Sequence, residues 1–165
     1  VGVGGGSLVY ANTLPVPEKP FYTSGSWAGL ADWQTELTPF YTKALKMLGA
    51  DMVPKAGPAD EALFELAKSI GKENEYSPTH VAVYFGEKGK TVSDPYFGGK
   101  GPDRTGCKLC GACMTGCRHN AKNTLDKNYL YLAEQLGAVV LPEQEVFDIV
   151  PDNPDGDSGY VVKYK

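Results

Sequence analysis

No run in these 165 residues is apolar for long enough to read as a membrane-spanning helix. Positive charge is also scarce: 16 Lys and Arg stand against 20 Asp and Glu, and the basic residues are scattered. A net charge of −4 without a basic patch gives no electrostatic footprint for nucleic acid, which excludes that class of partner from the reading. The chain lacks an initiating Met, and its opening Val1-Gly-Val-Gly-Gly-Gly6 has neither the charged n-region nor the apolar core of a secretory signal. That opening leads to the expectation of a piece cut from a longer protein at both ends. Internal repeats and low-complexity tracts are absent. So is cysteine, except in one short stretch.

What remains is ordinary in hydrophobic content but rich in turn formers, with 20 Gly and 12 Pro, and this predicts a loop-rich chain of short elements. Thr38, Pro39 and the apolar positions Tyr41, Ala44, Leu45 and Leu48 predict a helix capped by Thr38 and stopped at Gly49. A second helix is expected from Asp60, as N-cap, to Ile70, burying Leu63, Leu66, Ala67 and Ile70 against the first. A third is expected over Ala121 to Leu136. Strand-like runs lie at 80–85, 138–141, 145–150 and 160–164, the last two joined by a polar turn that predicts a hairpin. Residues 1–35 and 86–118 read as irregular, with Trp27 and Trp33 anchoring the first of these to the core. The fold class is therefore α+β, with about three main helices and a small antiparallel sheet.

The cysteines are Cys107, Cys110, Cys113 and Cys117, at the spacing C-x2-C-x2-C-x3-C with which bacterial ferredoxins hold iron–sulfur clusters. No second run exists, and Arg118 stands where the ferredoxin pattern has proline. A single cluster would therefore use these four as candidate metal ligands, or three of them with an outside ligand in place of Cys117. Arg104, Lys108 and Arg118 would favour their thiolates. Three alternatives stay open: cysteines with a structural role, reduced or disulfide-bonded; a zinc site, for which so short a span leaves little chain to wrap a tetrahedron; and redox sensing. His119 reads as a surface or cap residue, with cluster ligation as the alternative.

The loop Gly2-Val-Gly-Gly-Gly-Ser7 only partly matches the dinucleotide fingerprint, since Ser7 occupies the last glycine position and no strand precedes it. Its glycines still permit backbone N–H groups to approach a flat or anionic ligand closely. Three segments, Gly2–Val9, Asp94-Pro-Tyr-Phe-Gly-Gly99 and the long run Arg104–Cys117 continued by Asn120–Ala138, resemble in order and spacing the glucose–methanol–choline oxidoreductase family, in its cholesterol oxidase-like branch. The resemblance implies an FAD-binding domain interrupted by a substrate domain. Residues 1–20 would be the internal flavin loop, 21–119 the substrate-domain insertion with the cysteine loop, and 120–165 the return helix and first strands of the meander.

It further implies Gly4, Gly5, Gly6 and Ser7 as flavin contacts. Tyr10, Ala11, Asn12 and Thr13 would be flavin neighbours, although the family continues Asn-Gly-Gly-Met where this chain has Tyr10-Ala-Asn-Thr13. No catalytic residue is assigned within the chain. The implied reaction, hydride transfer from an alcohol or sterol to flavin after a base removes the alcohol proton, belongs to a longer parent, and the piece alone would be inactive. The implied partners are a small-molecule alcohol or sterol, the rest of the parent chain and, through exposed apolar surface, a second copy in a homodimer. An iron–sulfur electron-transfer module is the alternative function, and a structural domain the third. The aromatic pairs Phe21-Tyr22, Phe40-Tyr41 and Tyr96-Phe97 read as core packing, with a sterol-sized pocket as the alternative.

Overall fold

In the computed structural model, which describes residues 2–165, the chain is α+β. Val1, the first residue of the expected flavin-loop segment, lies outside the described residues. The helices are α1 Lys19–Tyr22, α2 Trp33–Met47, α3 Pro58–Ser69 and α4 Tyr129–Gln135. The strands are β1 Asp51–Met52, β2 His80–Val81, β3 Thr91–Val92, β4 Arg104–Thr105, β5 Val146–Pro151 and β6 Tyr160–Tyr164, paired antiparallel as β1–β2, β3–β4 and β5–β6. Among the described residues no helix is long and apolar enough to cross a membrane. The chain forms two compact units, Val1–Ala133 and Glu134–Lys165.

In the first unit α2 begins earlier than its sequence suggests. Asp32 caps it, accepting the Thr35 N–H at 3.2 Å and the Thr35 hydroxyl at 2.7 Å. Thr38 is not a cap: its hydroxyl turns back onto the Gln34 carbonyl at 2.6 Å, and Pro39 sits inside the helix. The expected face is correct, with Tyr41, Ala44, Leu45 and Leu48 half-buried and Gly49 stopping the helix at φ 55°. Glycine is also required there sterically, because a Cβ would fall 2.5 Å from the Tyr96 ring.

The cap of α3 is Gly57 rather than Asp60; the Asp60 carboxylate reaches back from the third helical position to the Gly57 N–H at 2.8 Å. Leu63, Leu66 and Ile70, expected to be buried, are exposed, and α3 rests instead through Phe64 on Tyr76, with ring centroids 5.2 Å apart. The expected pairing of α2 with α3 gives way to α2 packing on α1, and α3 on the turn Glu73–Glu75. The indoles likewise do not reach the core. Trp27 donates to the Phe21 carbonyl and Trp33 to that of Trp27, fastening α1 to its own loop.

The largest departure is at 121–124. Helical spacing predicted α4 from Ala121, yet these four residues are extended and buried, followed by one 3-10 turn, Leu125–Lys127, before α4. The backbone explains it: Tyr84 N–H donates to the Ala121 carbonyl and Asn123 N–H to that of Ala82, both at 2.8 Å. Once used across the fold, those groups cannot join an i to i−4 ladder. The 80–84 run is correspondingly broken, β2 giving way to isolated bridges of Val81 with Thr13 and of Val83 with Lys122. The apolar core here is small, centred on Val81, Val83 and Ala121, and Arg104, Lys122, Asn123 and Asn128 are buried with it.

The loop expected at 86–118 holds β3, β4 and a built turn. The Asp94 carboxylate accepts the N–H groups of Tyr96, Phe97, Gly99 and Gly101 at 2.7–3.0 Å. In the second unit the expected hairpin is present, with Val150 opposite Val161 and a register shift between Val146 and Asp148, while 138–141 forms no strand.

Burial by itself would raise the Asp94 carboxyl, but the four backbone N–H groups outweigh it and hold the group below the usual carboxylate range. Stabilisation from a depressed carboxyl is complete above its unfolded pKa of ~4 and is lost as pH falls through the lower folded value. Asp94→Asn is therefore expected to lower stability to urea by roughly 1–3 kcal/mol at neutral pH. The gap to wild type should close as pH falls below ~4 and through the lower folded value, and a gap independent of pH would contradict this account.

Candidate functional site

The candidate site is built on the extended segment 120–124. The Arg104 guanidinium, 1% exposed, lies along it. Its Nη2 donates to the Ala121 and Lys122 carbonyls at 3.0 and 2.6 Å and to Asn123 Oδ1 at 2.6 Å, its Nε also to Asn123 Oδ1 at 3.0 Å, and its Nη1 to Asn120 Oδ1 at 2.7 Å. Asn120 holds the strained end of the segment, with φ 55°, and its own amide donates to the Asp103 carbonyl. The Arg104 N–H groups thus donate to neutral oxygens rather than to a thiolate.

Lys122, 1% exposed, carries the segment's reach to the glycine loop. Its ammonium donates to the Leu8 carbonyl at 3.1 Å and the Cys113 carbonyl at 2.9 Å and sits 4.7 Å from the centre of the Tyr10 ring. Tyr10 donates its hydroxyl to the Asn123 carbonyl at 2.7 Å. Burial first, and then negative charge at Cys113, push the Tyr10 phenol up to about 12, so this bond keeps its proton through neutral pH. Ser7 binds both ways, donating to the Gly4 carbonyl at 2.7 Å and accepting the Leu125 N–H at 2.9 Å.

The loop so held, the 3-10 turn Gly5–Leu8, is exposed at Gly5 and Gly6, where a Cβ would meet nothing within 4 Å. Of the expected flavin neighbours, Ala11 and Thr13 are exposed. Gly4 and Asn12 are buried. Asn12 has φ 60° and its carbonyl accepts the Ala82 N–H, so its main chain is used inside the fold. An open, largely apolar groove of about 590 Å³ runs beside it, lined by Val53, Val81, Val83, Phe85, Leu109 and the Cys107 and Cys113 thiols. The three aromatic pairs do not converge on it.

The cysteines do not form the expected metal set. Among the described residues no three His, Cys, Asp or Glu side chains are gathered to hold a metal ion. Cys107, Cys110, Cys113 and Cys117 line one small void of about 20 Å³. The reason lies in where the sulfurs turn. Cys107 and Cys117 pack on Val81, Val83 and Ala121, and their Sγ atoms accept backbone N–H groups from Leu109 at 3.3 Å and Ala121 at 3.4 Å. Burial raises the Cys117 thiol, but N–H groups of Lys122, Ala121 and His119 outweigh it and bring the thiol down. Burial also raises Cys113, and there the net shift is upward.

Arg104 entered the sequence reading only as a neighbour of the thiols, and Lys122 and Asn123 escaped it as site residues. Their signal was present in the buried, charged run Asn120-Ala-Lys-Asn-Thr124, read there as a helix. Asp126 has a buried Oδ1; it and Asn128 Nδ2 lack partners among the described residues, on and just after the turn against which the glycine loop packs.

Comparison places this geometry among known sequences. The chain is 51% identical over 166 residues to a cholesterol oxidase of Acinetobacter baumannii, covering 97% of this chain and 30% of that protein. It is 55% identical over 146 residues to cholesterol oxidases of two Mycobacterium tuberculosis strains, CDC 1551 / Oshkosh and ATCC 25618 / H37Rv, covering 86% of this chain and 25% of each. The chain therefore spans between a quarter and a third of the length of these curated relatives. No family model and no solved structure matches it.

Arg104→Lys is expected to lower unfolding free energy by about 2–4 kcal/mol in a urea titration, since an ammonium cannot span the four residues that the planar fork holds. Lys122→Met, of similar volume, should speed amide hydrogen exchange in Gly6–Val9 by roughly tenfold or more. Unchanged exchange there would mean that the loop holds its shape without the ammonium.

Proposed function

We propose that this chain corresponds to part of an FAD-dependent oxidoreductase acting on a sterol or another bulky alcohol. In this reading residues 1–20 carry the flavin-facing loop, 21–119 the first substrate-domain insertion and 120–165 the return to the flavin domain. One observation carries the reading: the bare backbone of Gly5 and Gly6 faces open space on a loop fixed from below by Ser7, Tyr10 and Lys122. Its sequence similarity to cholesterol oxidases supports the same reading. A flat ring can approach such a loop as closely as the backbone allows, so these residues fit the group.

Bound FAD supplies the hydride acceptor for the alcohol carbon. The chain's own part is positional. Ser7 and Lys122 keep the Gly5–Leu8 turn in place, and the protonated Tyr10 phenol ties the loop to Asn123. The groove beside Asn12 is apolar along Val53, Val81, Val83 and Phe85, which suits the hydrocarbon body of a large alcohol, while Lys55 and Asp60 in its lining offer polar partners. Proton removal is assigned to no residue here, and the chain by itself is proposed to be inactive.

A polypeptide of the relatives' length that carries this segment is expected to bind FAD and to lose its flavin absorbance when cholesterol is added without oxygen. Gly6 has no left-handed φ, so Gly6→Val tests the open space rather than backbone strain. It should weaken FAD binding tenfold or more with stability unchanged. Equal FAD affinity in the variant would remove the glycine loop from the flavin site, and failure of the parent to bleach would sink the alcohol-oxidising reading.

A further inference from the structure

The groove beside Asn12 continues beyond its own walls. Four of the residues that line it, Val53, Lys55, Ala56 and Asp60, also line a second, more enclosed cavity of about 130 Å³, which Tyr76, Pro78 and Thr79 complete. Asn12 and Cys113 line the groove and not this cavity. Their end is the one beside the glycine loop. Asn12 lies just past the Gly5–Leu8 turn in the chain, and the Cys113 and Leu8 carbonyls share the Lys122 ammonium at 2.9 and 3.1 Å. The two spaces therefore run in order from the glycine loop, past Val53 and Ala56, to Tyr76 and Thr79.

The far wall is firm, because the Tyr76 ring packs on Phe64 of α3 with centroids 5.2 Å apart. Val53, at the neck, packs against the core of Val81, Val83 and Ala121. The Asp60 carboxylate there is already engaged by the Gly57 N–H at 2.8 Å. The cavity is well below the roughly 300 Å³ at which sites for whole small molecules begin, so it takes the end of a ligand whose body lies in the groove.

We propose that the cavity between Val53, Tyr76 and Thr79 is the subsite for the alkyl side chain that a sterol carries opposite its hydroxyl, an inference that rests on the sterol-oxidising reading above. The ring system lies along Val81, Val83 and Phe85 with its hydroxyl carbon towards Asn12, and the side chain passes Val53 and Ala56 into the cavity. A steroid with the same rings and hydroxyl but no side chain leaves this subsite unfilled and forgoes the burial of that chain.

The test uses a polypeptide of the relatives' length that carries this segment. Its kcat/KM is measured for cholesterol and for dehydroepiandrosterone, which has a keto group where cholesterol has its side chain. Wild type is expected to favour cholesterol about tenfold or more, since even one methylene in an apolar pocket can be worth that much. Thr79→Phe sets a ring at the cavity from an exposed position, whose hydroxyl makes only a 3.5 Å bond to the His80 carbonyl. It should cut the preference for cholesterol about tenfold, whereas Thr79→Ser, which leaves the space open, should keep it. Equal kcat/KM for the two steroids in wild type, or a preference that Thr79→Phe leaves unchanged, would overturn the subsite and leave the alcohol-oxidising reading standing. Oxidation of neither would sink that reading and the subsite with it. If Thr79→Phe fails to fold, wild type decides with sterols of graded side-chain length: kcat/KM must rise as the chain lengthens, and a flat series would overturn the assignment.

Discussion

A guanidinium withdrawn from water, with no carboxylate beside it, must find its partners among carbonyl and amide oxygens, and Arg104 finds them on four consecutive residues, Asn120 to Asn123. That demand sets the backbone of the segment. A helix would point the Ala121 and Lys122 carbonyls along its own axis, where one side chain could not collect both together with the flanking amides. An extended segment turns them outward. The same conformation offers the Ala121 carbonyl to Tyr84 and the Asn123 N–H to Ala82, so Arg104 and the 80–84 run hold the segment from two directions. Leaving a buried charge without these bonds would cost several kcal/mol, more than the few apolar contacts around Val81, Val83 and Ala121 could offset.

The order passes outward through Lys122. Its main chain is fixed by Arg104, its side chain fixes the Leu8 and Cys113 carbonyls, and its charge lies over the Tyr10 ring. Two segments far apart in sequence, the glycine loop and the cysteine loop, are therefore positioned by one side chain. Neither has a hydrophobic face large enough to place itself.

Much of this was legible where the determinants are local. The Tyr41-Ala44-Leu45-Leu48 face, the stop at Gly49 and the 145–165 hairpin follow from periodicity and turn chemistry within a few residues. The start of α2 was misplaced because Thr38-Pro39 imitates a cap, while the residue that does cap, Asp32, lies a turn and a half earlier. Residues 121–124 were lost for a different reason: their helical spacing is real, but the partners that override it are Arg104 and 82–84, and nothing local announces them. The cysteine spacing is limited in the same way. It fixes how far apart the sulfurs lie along the chain and leaves open which way each one turns. Here Cys107 and Cys117 turn to backbone N–H groups and the apolar core.

The same geometry separates the groups that can act on a ligand from those that cannot. Lys122 bonds the glycine loop at Leu8, yet its ammonium is committed to two carbonyls and buried, so it has no reach to an anion above the loop. Asn12, beyond the loop, is buried with its main-chain carbonyl on the Ala82 N–H. What the loop presents outward is main chain, at Gly5 and Gly6. A surface of bare backbone selects a ligand by flatness and close approach rather than by charge, and it tolerates no side chain at the point of contact. The cation, the phenol and the serine below it serve to keep that surface still.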